Sequence, residues 1–230
     1  MADYQRIYDE RAEAYDALVA HEDHARNLIA ALREIRPLEG LDVVETGAGT
    51  GRVTRLVAPF ARSVRAFDRS AHMLDVARQR LAEDGARNVQ VAVASHASLP
   101  VDDGSADLAL EGWAFGHAVG WNPSGWVAEV EAHVHELSRT LRPGGTLVLI
   151  ETQGTGVEAP FAGGHALEPF HHHLVTALGF AHRTVRTDYV FASLDEAVER
   201  AGFFFGEGMV ARLRARGTAT LPECTGVYWR

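Results

Sequence analysis

Glycine stands at every second position in Val43-Val44-Glu45-Thr46-Gly47-Ala48-Gly49-Thr50-Gly51, directly after a β-branched run and two residues after an acid. Glycine takes positive φ freely, and its missing Cβ lets a ligand approach the main chain. A strand that stops in such a turn, with a helix behind it, points free N–H groups into the crevice at the strand's end. Glu45 is expected at the last strand position, against a positively charged or hydroxylated ligand group. The alternative is a tight strand-to-helix turn that binds nothing. The spacing is G-x-G-x-G, not the G-x-G-x-x-G of dinucleotide-binding folds.

A second acid follows at a telling distance. Ser63 to Asp68 reads as the next strand, and Asp68 ends it 17 residues beyond Gly51. In a parallel sheet that end lies beside the glycine loop, where a carboxylate can accept hydrogen bonds from the two hydroxyls of a ribose. A turn aspartate is the bland alternative, with Ser70 equally able to cap the following helix. Further on, Glu111-Gly112-Trp113-Ala114-Phe115-Gly116-His117 gathers a carboxylate, two glycines, two aromatic rings and a histidine at the end of a short apolar strand. Trp121 and Trp126 extend the aromatic character of that loop.

An acidic residue followed by x-G-x-G-x-G resembles motif I of the class I S-adenosylmethionine-dependent methyltransferases, here of the small-molecule, type 11 kind. Two further stretches carry the same resemblance. Asp68 stands at the second strand's tip, and Leu141-Arg142-Pro143-Gly144-Gly145-Thr146-Leu147-Val148-Leu149-Ile150 is similar to that family's turn into its fifth strand. The resemblance covers about residues 41 to 151. It implies S-adenosyl-L-methionine as cofactor, S-adenosyl-L-homocysteine as product, and in-line attack of an O or N nucleophile of a small-molecule acceptor on the sulfonium methyl.

By the same resemblance Tyr15, Glu45, Thr46, Gly47, Ala48, Gly49, Gly51, Asp68, Arg69, Met73, Ser95, His96, Glu111 and Gly112 are expected to contact the cofactor. Ser95 departs from the pattern, which has an aspartate there to accept from the adenine amino group; a hydroxyl accepts more weakly. His96 either stacks on the purine or is an ordinary loop histidine. Glu111 either fixes the methionine portion or satisfies its own loop. Trp113, Phe115, His117 and Trp121 are expected around the acceptor. His117 is the candidate base, because an unperturbed imidazole titrates near neutral pH. Neither the nucleophilic-amide signature of nucleic-acid methyltransferases nor a pair of strand-end carboxylates suited to magnesium is apparent.

Composition narrows the partners. Hydrophobic residues are 47% and charged residues 23% of 230, ordinary for a globular domain. A net charge of −9 speaks against nucleic acid or an anionic membrane as partner. No long apolar run or leader-like start is present, and Cys224 is the single cysteine, which fits a reducing cytoplasm. All 22 basic residues other than histidine are arginine, as in GC-rich bacterial genomes, so lysine Schiff-base chemistry and a Walker loop are excluded. His171-His172-His173 does not read as a metal site, since consecutive side chains diverge.

The elements that must position these residues read as one α/β domain over 1–230. It is expected to be a Rossmann-like, seven-stranded mixed sheet whose last strand is antiparallel, with helices on both faces. Residues 1–36 form an N-terminal helical lid or a helix packed on the sheet edge, with Tyr8 and Tyr15 on its stripe. Residues 41–151 form the cofactor core. Residues 152–230 supply the acceptor side, with strands at Thr184 to Phe191 and Thr218 to Trp229 and helices at Leu194 to Ala201 and Met209 to Arg214. Pro222 should make the last strand start late or interrupt it. A monomer or homodimer is expected. The rival readings are a non-catalytic S-adenosylmethionine-binding regulator and a nicotinamide-dependent oxidoreductase.

Overall fold

A computed structural model describes residues 4–230; residues 1–3, which open the expected lid, lie outside the described residues. The aromatic stripe folds as two helices instead of one, α1 (Tyr4–Glu10) and α2 (Ala12–Val19), broken where Arg11 adopts φ −138°. The break lets Tyr8 and Tyr15 turn inward against Met73 and Val76. Helix α3 (Asn27–Ile35) begins where the Asp23 carboxylate accepts from the amides of Asn27 and Leu28 at 2.7 and 3.0 Å, satisfying two otherwise unpaired donors.

Strand β1 (Asp42–Thr46) runs into the glycine loop and α4 (Arg52–Val57). Then come β2 (Ser63–Asp68), α5 (Ala71–Glu83), β3 (Val89–Val93) and β4 (Ala106–Gly112). Ser70 caps α5 by accepting from the Met73 amide. After β4 follow α6 (His117–Trp121), α7 (Trp126–Arg139) and β5 (Leu141–Thr155). Pro143-Gly144-Gly145 does not stop the chain before β5. It lies inside that strand as a bulge, between the Ala106–Leu141 and Leu108–Thr146 pairs.

The C-terminal part comprises α8 (Glu168–Thr176), β6 (Ala181–Arg186), β7 (Tyr189–Val190), α9 (Leu194–Phe205), α10 (Glu207–Arg216), β8 (Thr220–Leu221) and β9 (Glu223–Trp229). The single strand expected at Thr184 to Phe191 is two. Arg186 and Asp188 pair across the turn, and Asp188 accepts from the Glu223 amide, so β7 leaves the main sheet to pair with β8. Pro222 separates β8 from β9, as its missing N–H dictates.

The main sheet has the order β3-β2-β1-β4-β5-β9-β6. Its first five strands run parallel, and β9 lies antiparallel between β5 and β6. Both faces are covered, which is why the inner strands read as continuous apolar runs. Val43, Val57, Leu74 and Leu110 fill one side; Val44, Val134, Leu137 and Phe170 fill the other. A third cluster joins Leu18 of α2 to Phe191, Ala201 and Leu213. It seats the N-terminal helices and α9–α10 over the carboxyl ends of the parallel strands.

Candidate active site

The glycine loop has the backbone that its sequence demands, with φ +68° at Gly47, +55° at Gly49 and +85° at Gly51. A Cβ on Gly47 would come within 2.5 Å of the Ala114 Cβ, and one on Gly49 within 3.3 Å of the Met73 Cε. The loop amides are not left free, however. Ala48 N–H donates to the Phe67 carbonyl, Gly49 N–H to Asp68 Oδ2 at 2.9 Å, and Gly51 N–H to the Ala48 carbonyl. Asp68 therefore braces the loop. Its other oxygen accepts from Ser70 N–H at 2.8 Å, and burial raises its pKa despite these bonds.

A narrow groove of about 60 Å³ lies along this loop, lined by Gly47, Gly49, Asp68, Arg69, Met73, His96, Gly112, Trp113 and Ala114, with Tyr8 and Tyr15 above. A larger cavity of about 910 Å³ opens next to it, between the N-terminal helices, the end of β5 and α9. Five residues line both spaces: Tyr8, Tyr15, Trp113, His117 and Trp121. At their meeting point Tyr8 Oη lies 3.0 Å from His117 Nε2, and the His117 ring stacks on Trp121 at 4.5 Å. The Arg69 guanidinium covers the Trp121 ring, and that of Arg52 lies 3.7 Å over Trp113. Trp113 itself holds φ +56°, an unusual backbone for a bulky residue.

Several expected contacts fall elsewhere. Glu45 faces α4, because it shares a sheet face with Val43; it accepts from Thr54 Oγ1 at 2.6 Å, and burial pushes its carboxyl up to about 8. Ala48 is buried, Thr46 is buried with its hydroxyl 2.7 Å from His96 Nδ1, and Gly51 packs on Ala77. Ser95 is exposed and turns its hydroxyl to the Ala97 amide, away from the groove. Glu111 is buried and accepts from the amides of Ala114 and Phe115, so it satisfies its own loop. Phe115 is buried core, packed edge-on to His96, and lines neither space. Burial also lowers His117 to about 4, so the expected reason for choosing it as base, a pKa near neutrality, does not hold.

Sequence reasoning missed the residues that close the larger cavity. Arg52 pairs with Glu22 at 2.7 Å, Glu22 also accepts from Thr187, and Glu223 accepts from Thr152. Glu151, at the end of the apolar run in β5, accepts from Gly116 N–H at 2.6 Å and lines the cavity. Part of the signal that marked Glu45 and Asp68, an acid closing a buried apolar run, was available for it. It makes a strand-end pair with Glu111, which the sequence reading did not see. The three consecutive histidines part company: His171 bonds the Thr152 carbonyl, His173 meets Glu131, and His172 is exposed.

The residues around the groove suit an adenosyl sulfonium. Asp68 keeps acceptor capacity for hydroxyls, Met73 and Ala114 offer apolar contact, and Gly112 and Trp113 lie at the end of β4. Ligand sites commonly measure about 300–1,000 Å³, so the Tyr8–His117 and Arg69–Trp121 contacts must part to admit a nucleoside.

Parallel β1 to β5, an antiparallel β9 and a braced glycine loop beside Asp68 define the class I methyltransferase fold. Residues 44–149, just under half of the chain, match the family described as a methyltransferase domain. Over those residues the chain is similar to that family, and its fold is that of the class I S-adenosylmethionine-dependent methyltransferases. It is similar to the demethylmenaquinone methyltransferases of Clavibacter sepedonicus (31% identical over 148 residues, 63% of this chain and 56% of that one) and of Lactococcus lactis (26% over 155 residues, 64% and 58%). The chain thus spans less than two thirds of the length of these relatives. Among solved structures, YcgJ from Bacillus subtilis superimposes with a TM-score of 0.60 at 18% identity, covering 87% of this chain and 95% of that one. A methyltransferase from Aquifex aeolicus does so at 0.55 and 18%, covering 98% and 92%. These two likenesses concern the fold.

Proposed function

We propose that the protein transfers a methyl group from S-adenosylmethionine to an O or N nucleophile of a small-molecule acceptor. The observation that carries this reading is the pair of connected spaces sharing Tyr8, Tyr15, Trp113, His117 and Trp121. One space has the residues for a nucleoside; the other is wide and carries several aromatic rings beside buried carboxyls. The demethylmenaquinone methyltransferases among the relatives bear the name of a small acceptor, which supports the same class. A net charge of −9 argues further against nucleic acid.

In this reading Asp68 holds the ribose hydroxyls, Met73 and His96 flank the base, and Gly112 and Trp113 line the methionine portion. When bound, S-adenosylmethionine supplies a methyl already activated by its positive sulfur. The chain's own task is alignment and exclusion of water. The rings of Tyr8, Trp113 and Trp121 wall the passage between the spaces, and the neutral His117 imidazole offers a hydrogen bond at their meeting point. No helix among the described residues is long and apolar enough to cross a membrane.

Titration calorimetry with S-adenosylmethionine, S-adenosylhomocysteine and NAD, followed by release of S-adenosylhomocysteine over a pooled set of small acceptors, tests the proposal. Binding of the two sulfur nucleosides with turnover on at least one acceptor is expected. Binding of NAD alone, or of neither nucleoside, overturns it.

A further inference from the structure

Side chains alternate across a sheet, so Glu111 on β4 and Glu151 on β5 share the face of Ala109 and Leu149. Glu111 pairs with Leu149, which makes Glu151 its diagonal neighbour. Both carboxyls are buried. Glu111 Oε1 is taken by two loop amides, and its Oε2 meets no N–H or O–H donor among the described residues, the position of a carboxyl that itself carries a proton. Glu151 looks into the larger cavity.

Charge compensation separates Glu151 from its neighbour in the same cavity. Glu22 has Arg52 at 2.7 Å; among the described residues, neither Glu151 nor Glu111 has an ion-pair partner. A buried carboxylate without a counter-charge is unfavourable. Where a site needs only to hydrogen-bond a neutral ligand, an amide would serve without that burden. A carboxylate among the rings of Tyr8, Trp113 and Phe161 instead complements a cation, which ring faces also attract.

We propose that the methyl acceptor is a primary or secondary amine admitted as its ammonium, and that Glu151 receives the proton its nitrogen must lose. This rests on the small-molecule reading above. The N–H proton passes to the Glu151 carboxylate, and the freed lone pair forms the N–C bond. The methyl–sulfur bond breaks with its electron pair going to sulfur, and the methylated nitrogen leaves with the positive charge. Glu151 is reset by losing its proton to water. Burial pushes Glu151 up to about 7 against the bonds from Gly116 and Glu111 that pull it down, which suits proton transfer near neutral pH. Glu111 from β4, Tyr228 from β9 and Tyr8 from α1 interact with it and hold no positive charge at that pH, while the cavity's Arg52 is paired with Glu22 and Arg212 of α10 lines the same space.

Calorimetry on the protein without cofactor, using 2-phenylethylammonium and its neutral counterpart 2-phenylethanol, tests this directly. The cation should bind at least about tenfold more tightly. Below pH 7 its binding should release a proton, read as heat that varies with the buffer's ionisation enthalpy. Glu151→Gln should abolish both effects; equal affinity for the two probes, or proton release that survives in E151Q, overturns the proposal. Glu111→Gln, whose amide can still donate to Glu151 but more weakly than a carboxyl O–H, should keep the cation preference and move proton release to slightly higher pH. Loss of the preference there also overturns it. With S-adenosylmethionine present, amine turnover should fall at least about 100-fold in E151Q, a barrier change of two factors of ten, and the pH–rate limb near neutrality should vanish. Methylation confined to phenols overturns the amine assignment, whereas failure to bind S-adenosylmethionine removes the methyl-transfer reading instead.

Discussion

The groove and the larger cavity share five residues yet are built on different principles. The acceptors around the glycine loop are answered by near neighbours: Asp68 by Gly49 and Ser70, Thr46 by His96, and Glu45 by Thr54. The cavity is assembled from α1, α2, β5, α9 and the loop after β5, and among the described residues its Glu151 carboxyl has no ion-pair partner. A glycine loop satisfied by its own neighbours suits one constant ligand. A cavity with uncompensated groups leaves its electrostatics to be completed by what enters. The contrast also explains why Glu111 and Glu151, two acids on adjacent strand tips, serve different ends.

The largest effect that would break this contrast is expected from Gly47→Val. The new Cβ would meet Ala114 at 2.5 Å at a φ of +68°, so the loop must shift. A loss of about 2–4 kcal/mol of stability and at least about 100-fold in S-adenosylhomocysteine affinity is expected. Thermal unfolding and calorimetry together check it, and a variant that folds and binds normally would mean the loop is not braced as described. Asp68→Ala comes next. It removes a charged acceptor for ribose along with the brace on Gly49, and about tenfold or more in affinity should be lost, the worth of one charged hydrogen bond. Unchanged affinity in a folded protein removes the ribose assignment.

The smallest effect sharpens the comparison. Tyr8→Phe deletes the hydroxyl that meets His117 across the groove while keeping the ring. A net hydrogen bond is worth about 1 kcal/mol, and here it must break for a nucleoside to enter. Affinity for S-adenosylhomocysteine should therefore rise by up to about fivefold, measured by calorimetry. A fall in affinity would assign the hydroxyl to ligand binding instead of closure.

Legibility followed the same division. The glycine loop, Asp68 and the apolar strands were readable because their signals are local: positive φ needs glycine, and a strand covered on both faces needs an unbroken apolar run. The antiparallel β9 and its break at Pro222 were also in the chain's pattern. Glu45 and Phe115 lie away from both spaces, and Glu111 takes the loop-satisfying one of its two expected roles, because face, set by strand parity and by the turn after β4, decides where each side chain points. Ser95 was expected at the adenine and instead closes its own turn. Glu151 closes the apolar run of β5 but the strand continues past it to Thr155, so no turn signal marks it as Asp68 is marked.

What the linear chain determined is the class of fold and the glycine loop with Asp68 beside it, because backbone conformation and burial period are properties of short stretches. Only the tertiary structure decided how the acceptor end is made. Helices α1 and α2 reach the cavity only after the chain breaks at Arg11, and α9 arrives from the far end of the sequence. The charge state of His117 and Glu151 belongs to this second category too. Burial depends on neighbours distant along the chain, and it lowers one group and raises the other, which no residue type announces by itself.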